Sequence, residues 1–127
     1  MNKKFYIASD MFSVERKALI NKVAETLRLM GREVYVPHEH EIENAWDLPN
    51  KVWGKRVFEE DVKAIDECET VIYFCEGMTG DIGSAWECGY AYAKGKEILV
   101  QYVDYGQDKI SLMVANSTKQ NLKLYQS

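Results

Sequence analysis

The segment Gly80-Asp81-Ile82-Gly83-Ser84-Ala85-Trp86-Glu87-Cys88-Gly89-Tyr90 sets two carboxylates, three glycines and a hydroxyl within eleven positions. Three chemistries fit it. Backbone N–H groups at a helix start attract anions, so one is a phosphate cradle, although the pattern is neither G-x-G-x-x-G nor a P-loop. The second is structural: Ser84 with Glu87 three residues later fits a capping box, each side chain satisfying the other's backbone N–H. The third is catalytic. Grouped carboxylates push their pKa values apart, so one can attack as a nucleophile while another holds a proton, and glycosyl transfer needs such a pair. Asp61, in Phe58-Glu59-Glu60-Asp61-Val62, is either a further acid or part of a solvated helix face. Tyr6 is either core or ligand contact. Trp53 and Trp86 read as packing residues, Trp53 also as a wall for a flat ring. His38 and His40 flank Glu39, but two imidazoles without a third nitrogen or sulfur ligand make a poor metal site. No Ser or Cys sits in a nucleophile elbow.

The elements that must hold these residues follow from the apolar pattern. Lys4 to Ala8 is a short β-prone strand. Ser13 can cap the next helix, with Glu15 favourably placed against its dipole. Leu19, Ile20, Val23, Ala24, Leu27 and Met30 make one helical stripe, and Gly31 stands where a left-handed cap would end it. Glu33 to Pro37 is a second strand. His38 to Asn50 has no periodicity and carries Glu39, Glu41, Glu43 and Asp47, which suggests a long functional loop. A helix over about Lys51 to Cys68 directs Val52, Val57, Val62 and Ile65 inward. Thr70 to Phe74 is the continuous apolar run of a central parallel strand. A helix from Ser84 to Lys94, ended by Gly95, leads to a fourth strand, Glu97 to Tyr102. A short apolar patch at Ile110 to Val114 and a candidate edge strand near Leu122 to Tyr125 complete the chain. Repeated strand–helix alternation predicts one domain over residues 1–127, built on an open parallel α/β sheet with right-handed crossovers. Ligands of such sheets lie beyond the carboxyl ends of the strands. That gathers Tyr6 to Asp10, the loop after Pro37, and Glu76 to Glu87 around one crevice.

Composition narrows the class. At 127 residues and 14.7 kDa, 46% hydrophobic and 28% charged, the chain is an ordinary globular domain. Sixteen Lys and Arg against twenty Asp and Glu give a net charge of −4, the wrong sign for a default nucleic-acid binder. No apolar run reaches the ~18 residues of a membrane span, and the first residues do not read as a signal peptide. Cys68, Cys75 and Cys88 have no C-x-x-C spacing and read as free thiols. A cytoplasmic protein with neither nucleic-acid nor membrane partners is expected.

The run from Gly80 to Lys96 resembles the signature segment of the nucleoside 2-deoxyribosyltransferase family, Asp-x-Gly-(Thr/Ser)-x-x-Glu-x-Gly-Tyr-Ala followed by Gly-Lys. Lys51-Val52-Trp53 with Asp61 eight residues after the tryptophan is similar to the family's second helix, and Tyr6 through Phe12 to its first strand and turn. Asp104-Tyr105-Gly106 and Ile110-Ser111-Leu112-Met113 resemble the segment after its fourth strand. The likeness runs from Tyr6 to Met113 and fades between Glu39 and Asn50.

The resemblance implies a flavodoxin-like α/β fold, an open parallel sheet of about five strands with helices on both faces. It also implies a retaining pentosyltransferase of nucleotide salvage that exchanges free bases on deoxynucleosides, without metal or organic cofactor. It makes Glu87 the nucleophile, Asp61 the acid and base at the nucleobase, and Tyr6 the group that orients Glu87. It puts Asp81 at the sugar's 5′ end, and Ala8, Phe12, Trp53, Ser111 and Met113 around the substrate. Sites completed by a neighbouring subunit imply a homo-oligomer. Ser111 stands where transferases usually carry Asn, and is reminiscent of related deoxynucleoside 5′-monophosphate N-hydrolases. Asp81 points the other way, because a carboxylate repels a phosphate. The alternatives are therefore an N-glycoside hydrolase of nucleosides or their 5′-monophosphates, and a non-catalytic nucleotide-binding module.

Overall fold

A computed structural model describes residues 3–9, 13–40, 50–75, 82–102 and 111–118. In chain order these form β1 (Lys4–Ala8), α1 (Val14–Leu29), β2 (Glu33–Tyr35), a 3₁₀ turn (Pro37–Glu39), α2 (Asn50–Glu67), β3 (Thr70–Cys75), α3 (Ile82–Ala93), β4 (Glu97–Tyr102) and α4 (Leu112–Asn116). The four strands make one parallel sheet in the order β2-β1-β3-β4. That is the first four places of the flavodoxin-like order 2-1-3-4-5. Among the described residues the sheet has four strands, against an expectation of about five; the segment near Leu122 to Tyr125 lies outside those residues.

Local chemistry sets the helix ends. Ser13 N-caps α1, its hydroxyl accepting from the Arg16 N–H at 3.0 Å. Gly31 and Gly95 follow α1 and α3 with φ of +83° and +77°. The N–H of Arg32 returns to the Leu27 carbonyl and that of Lys96 to the Ala91 carbonyl, both at 3.0 Å. Each glycine thus supplies the left-handed residue of a Schellman cap.

Side chains alternate across the strands. Ile7 and Phe74 pack with Ile20, Ala24 and Val36 under α1. Tyr6, Ala8, Val71, Tyr73, Ile98 and Val100 pack on the other face with Ala64 and Ile65 of α2 and with Cys88 and Ala91 of α3. Two expected stripes shift. In α1 the buried line is Arg16, Ile20 and Ala24, while Leu19 and Met30 are exposed. The Arg16 guanidinium donates to the Ser9 hydroxyl at 3.3 Å, so a cation holds α1 to the end of β1. In α2, Val52 is exposed and Val57 and Val62 are half-buried, while Ala64 and Ile65 are buried, as is Cys68 beyond the helix end. Positions 57, 61, 64, 65 and 68 therefore face inward, which includes Asp61.

Candidate functional site

Tyr6 is fully buried in β1, and its hydroxyl donates to Glu87 Oε2 on α3, 81 residues further along the chain. This contact replaces the capping box. α3 begins at Ile82, so Ser84 is already inside the helix and buried, and cannot take the non-helical backbone of an N-cap. Glu87, one turn further, turns toward the sheet and is half-buried.

Burial above all, then the charges of Glu87 and Asp61 and the hydrogen bond to Glu87, push the Tyr6 phenol far above its ordinary range. It stays a neutral donor at every physiological pH. Asp61 is half-buried on the inward stripe of α2. Burial, reinforced by the neighbouring Glu60 charge and partly offset by His40, raises its carboxyl to about 6. Tyr35, half-buried on β2, is raised to about 12 by burial and by the charges of Asp61, Glu60 and Glu87. The site thus joins a carboxylate held by a neutral phenol to an acid that keeps its proton to near pH 6. A nucleophile and a proton donor of this kind are what displacement at a glycosidic carbon requires.

The remaining expected residues are placed unevenly. Ala8 is buried two residues beyond Tyr6, on the same face. Trp53 is 40% exposed near the start of α2, about 12 Å along the helix axis from Asp61 at 1.5 Å per residue. Ser111 N-caps α4, accepting from the Val114 N–H at 3.3 Å. Met113 is 84% exposed, so within one chain it does not pack into the site. Asp81 and Phe12 lie outside the described residues. Among the described residues, no three His, Cys, Asp or Glu side chains are grouped to hold a metal, and no helix is long and apolar enough to cross a membrane. The three cysteines are buried and not joined in a disulfide; burial raises Cys68 to about 11, too high for a nucleophile.

An open groove of about 670 Å³ lies between β2 and α2, lined by Tyr35, His40, Glu60, Lys63 and Glu67 among others. Neither Glu87 nor Asp61 lines it; it meets the site at Tyr35, whose ring stacks on Tyr6. Sequence spacing does not single out Tyr35, and it offers His40 only as half of a poor metal site; the signal for Tyr35 is its place in strand register with Tyr6.

The profile of the nucleoside 2-deoxyribosyltransferase family matches residues 5–122. A candidate 2′-deoxynucleoside 5′-phosphate N-hydrolase of Thermofilum pendens is 24% identical over 121 residues, covering 95% of this chain and 82% of the relative. Among solved structures, a 2-deoxyribosyltransferase of Bacillus psychrosaccharolyticus superposes with a TM-score of 0.80 at 24% identity, over 97% of this chain and 96% of that one. A CMP N-glycosidase of Clostridium botulinum superposes with a TM-score of 0.66 at 21% identity, over 91% and 80%.

Proposed function

Because the chain belongs to the nucleoside 2-deoxyribosyltransferase family, whose chemistry is glycosyl transfer or hydrolysis, we propose that it moves 2-deoxyribose between nucleobases through a covalent intermediate on Glu87. The Glu87 carboxylate attacks C1′ of a deoxynucleoside and the C1′–N bond breaks, its electron pair leaving with the base. Asp61 delivers a proton to that base. Its raised carboxyl suits the role, because a donor must still hold its proton near the working pH. An incoming base then attacks C1′ of the glycosyl ester, expelling the carboxylate, while Asp61 takes up the base's proton. Two inversions give net retention.

The Tyr6–Glu87 hydrogen bond carries this reading. A capping or surface glutamate has no need of a buried, permanently neutral phenol, whereas a nucleophilic carboxylate must be held at one angle. Around the pair, Asp81 receives the 5′-hydroxyl, Ala8 and Phe12 line the sugar and base, Trp53 walls the base, Ser111 lies toward the 5′ end, and Met113, exposed within one chain, lines the site of a neighbouring subunit. A homo-oligomer in cytoplasmic nucleotide salvage is part of the same proposal.

A second reading has specific support. Ser111 is shared with the monophosphate hydrolases that the sequence resembles, and the Thermofilum relative bears such a name. There water, not a base, resolves the ester. Incubating a deoxynucleoside with a second free base separates the readings. New deoxynucleoside supports transfer, free deoxyribose without exchange supports hydrolysis, and binding without turnover supports a non-catalytic module.

A further inference from the structure

The Tyr6–Glu87 contact is the inner end of a longer row. Tyr6 pairs in register with Tyr35 on the neighbouring parallel strand, so both side chains stand on one face of the sheet. A slip of one residue would send Tyr35 to the other face. The two rings stack with centroids 5.5 Å apart and planes 8° apart. Tyr35 stacks in turn on His40, at 4.2 Å and 5°. His40 closes the 3₁₀ turn, its N–H donating to the Pro37 carbonyl at 3.0 Å. That turn is fastened to α1. The Arg28 guanidinium forks onto the Glu39 carboxylate at 2.6 and 3.1 Å and also donates to the Val34 carbonyl at 2.8 Å. A connected path therefore runs from an ion pair between α1 and the 3₁₀ turn, through three parallel rings, to the Glu87 carboxylate.

We propose that Tyr35 is a positioning residue for Glu87: its ring, backed by His40 and the Arg28–Glu39 fork, fixes the plane of Tyr6 and so the angle of the carboxylate that Tyr6 holds. The inference rests on Glu87 being the nucleophile. A phenol linked to its strand by two rotatable bonds holds a carboxylate at one angle only while its ring cannot turn. Ala8, the next residue of β1 on that face, is too small to block such rotation. Tyr35 supplies a flat surface on the β2 side at stacking distance. An error of about 1 Å in attack geometry can cost about 10²-fold in rate, so the ring row bears on kcat and not on ground-state affinity.

The alternative is that Tyr35 merely covers the core beside a three-residue edge strand. A double-mutant cycle separates the two roles. Base release from the better substrate, deoxynucleoside or 5′-monophosphate, is measured for Tyr35→Leu, Tyr35→Phe, Tyr6→Phe and the Tyr6→Phe/Tyr35→Leu pair, with Glu87→Ala alongside. Tyr35→Leu is expected to lower kcat about tenfold with KM within about twofold, and Tyr35→Phe, which keeps the ring, to recover most of that loss. In the Tyr6→Phe background the Tyr35→Leu loss should shrink to about twofold or less, because the link it acts through is already cut. Losses that multiply in the double variant, or a loss confined to KM, overturn the proposal. If Tyr35→Leu does not fold, His40→Ala removes the stacking partner from an exposed position. A kcat loss of about threefold, absent in the Tyr6→Phe background, supports the row, and an unchanged kcat overturns it. Turnover surviving in Glu87→Ala would instead overturn the nucleophile assignment. Abolished turnover there, with multiplying Tyr6 and Tyr35 losses, overturns the positioning role alone.

Discussion

Tyr6 and Ile7 are adjacent in β1 and both fully buried, yet they face opposite sides of the sheet and meet different company. Ile7 meets Ile20, Ala24, Val36 and Phe74 beneath α1, a set of side chains with nothing to ionise. Tyr6 meets the Glu87 carboxylate and feels the charge of Asp61, between α2 and α3. Burial has opposite consequences on the two faces. On the α1 side it adds stability with every apolar atom removed from water. On the α2–α3 side it holds Asp61 near 6 and opposes ionisation of Tyr6 and Tyr35. Depth alone does not mark a site; titratable groups buried against their own ionisation do.

Substitutions on the two faces should therefore fail in different ways. Glu87→Gln should lower turnover by about 10³-fold or more while the melting temperature holds, since the amide oxygen still accepts from Tyr6 but is a poor nucleophile. Steady-state kinetics and a thermal melt on one preparation check both halves. Asp61→Asn should cost about 10²-fold with bases that need protonation to leave, and far less with bases that do not. The same change should stabilise the protein. The folded carboxyl, raised from 3.8 to about 6, binds its proton more tightly than the unfolded one, so wild-type stability falls as pH rises from about 4 to 6. The full shift corresponds to about 3 kcal/mol, and solvent screening of this half-exposed group reduces it to roughly 1–2 kcal/mol. Melts of wild type and Asp61→Asn should diverge above pH 6 and converge near pH 4.

Ile20→Ala, on the opposite face, should cost about 2–5 kcal/mol of stability and leave kcat of the folded fraction within about twofold. Denaturant unfolding read beside kinetics decides it. The smallest effect concerns the 5′ end. At ~4 Å and an effective dielectric of ~20, a carboxylate repels a phosphate charge by about 4 kcal/mol, more than one neutral hydrogen bond returns. Deoxynucleosides should be used at least about tenfold better than their 5′-monophosphates, and Asp81→Ser should narrow or reverse the ratio. The kcat/KM values for deoxyadenosine and its monophosphate on both proteins settle the direction.

Much of this contrast can be read from the chain. The bounds of β1 and β4, the Ser13 cap and the glycine caps at Gly31 and Gly95 follow from local residue chemistry. What local spacing misreads is set by partners distant in sequence. Leu19 and Met30 continue a helical stripe but overhang the sheet, while Arg16 is buried because Ser9 receives it. Ser84 and Glu87 have the spacing of a cap, but helix α3 starts earlier and Glu87 pairs with a strand 81 residues away. Asp61 looks like one acid of a solvated run; only its alignment with Ala64, Ile65 and Cys68 shows that it faces inward. The Tyr6–Tyr35 stack depends on strand register, which no single segment encodes.

The central claim is that Glu87 forms a bond to the sugar. A 2′-fluoro-substituted deoxynucleoside should slow the second displacement by destabilising its positively charged transition state, so the glycosyl ester accumulates. Peptide mass mapping after acid quench should find the sugar on the peptide containing Glu87, with base release equal to the protein present. A sugar found on any other residue, or no adduct from a compound that the protein demonstrably cleaves, contradicts the account.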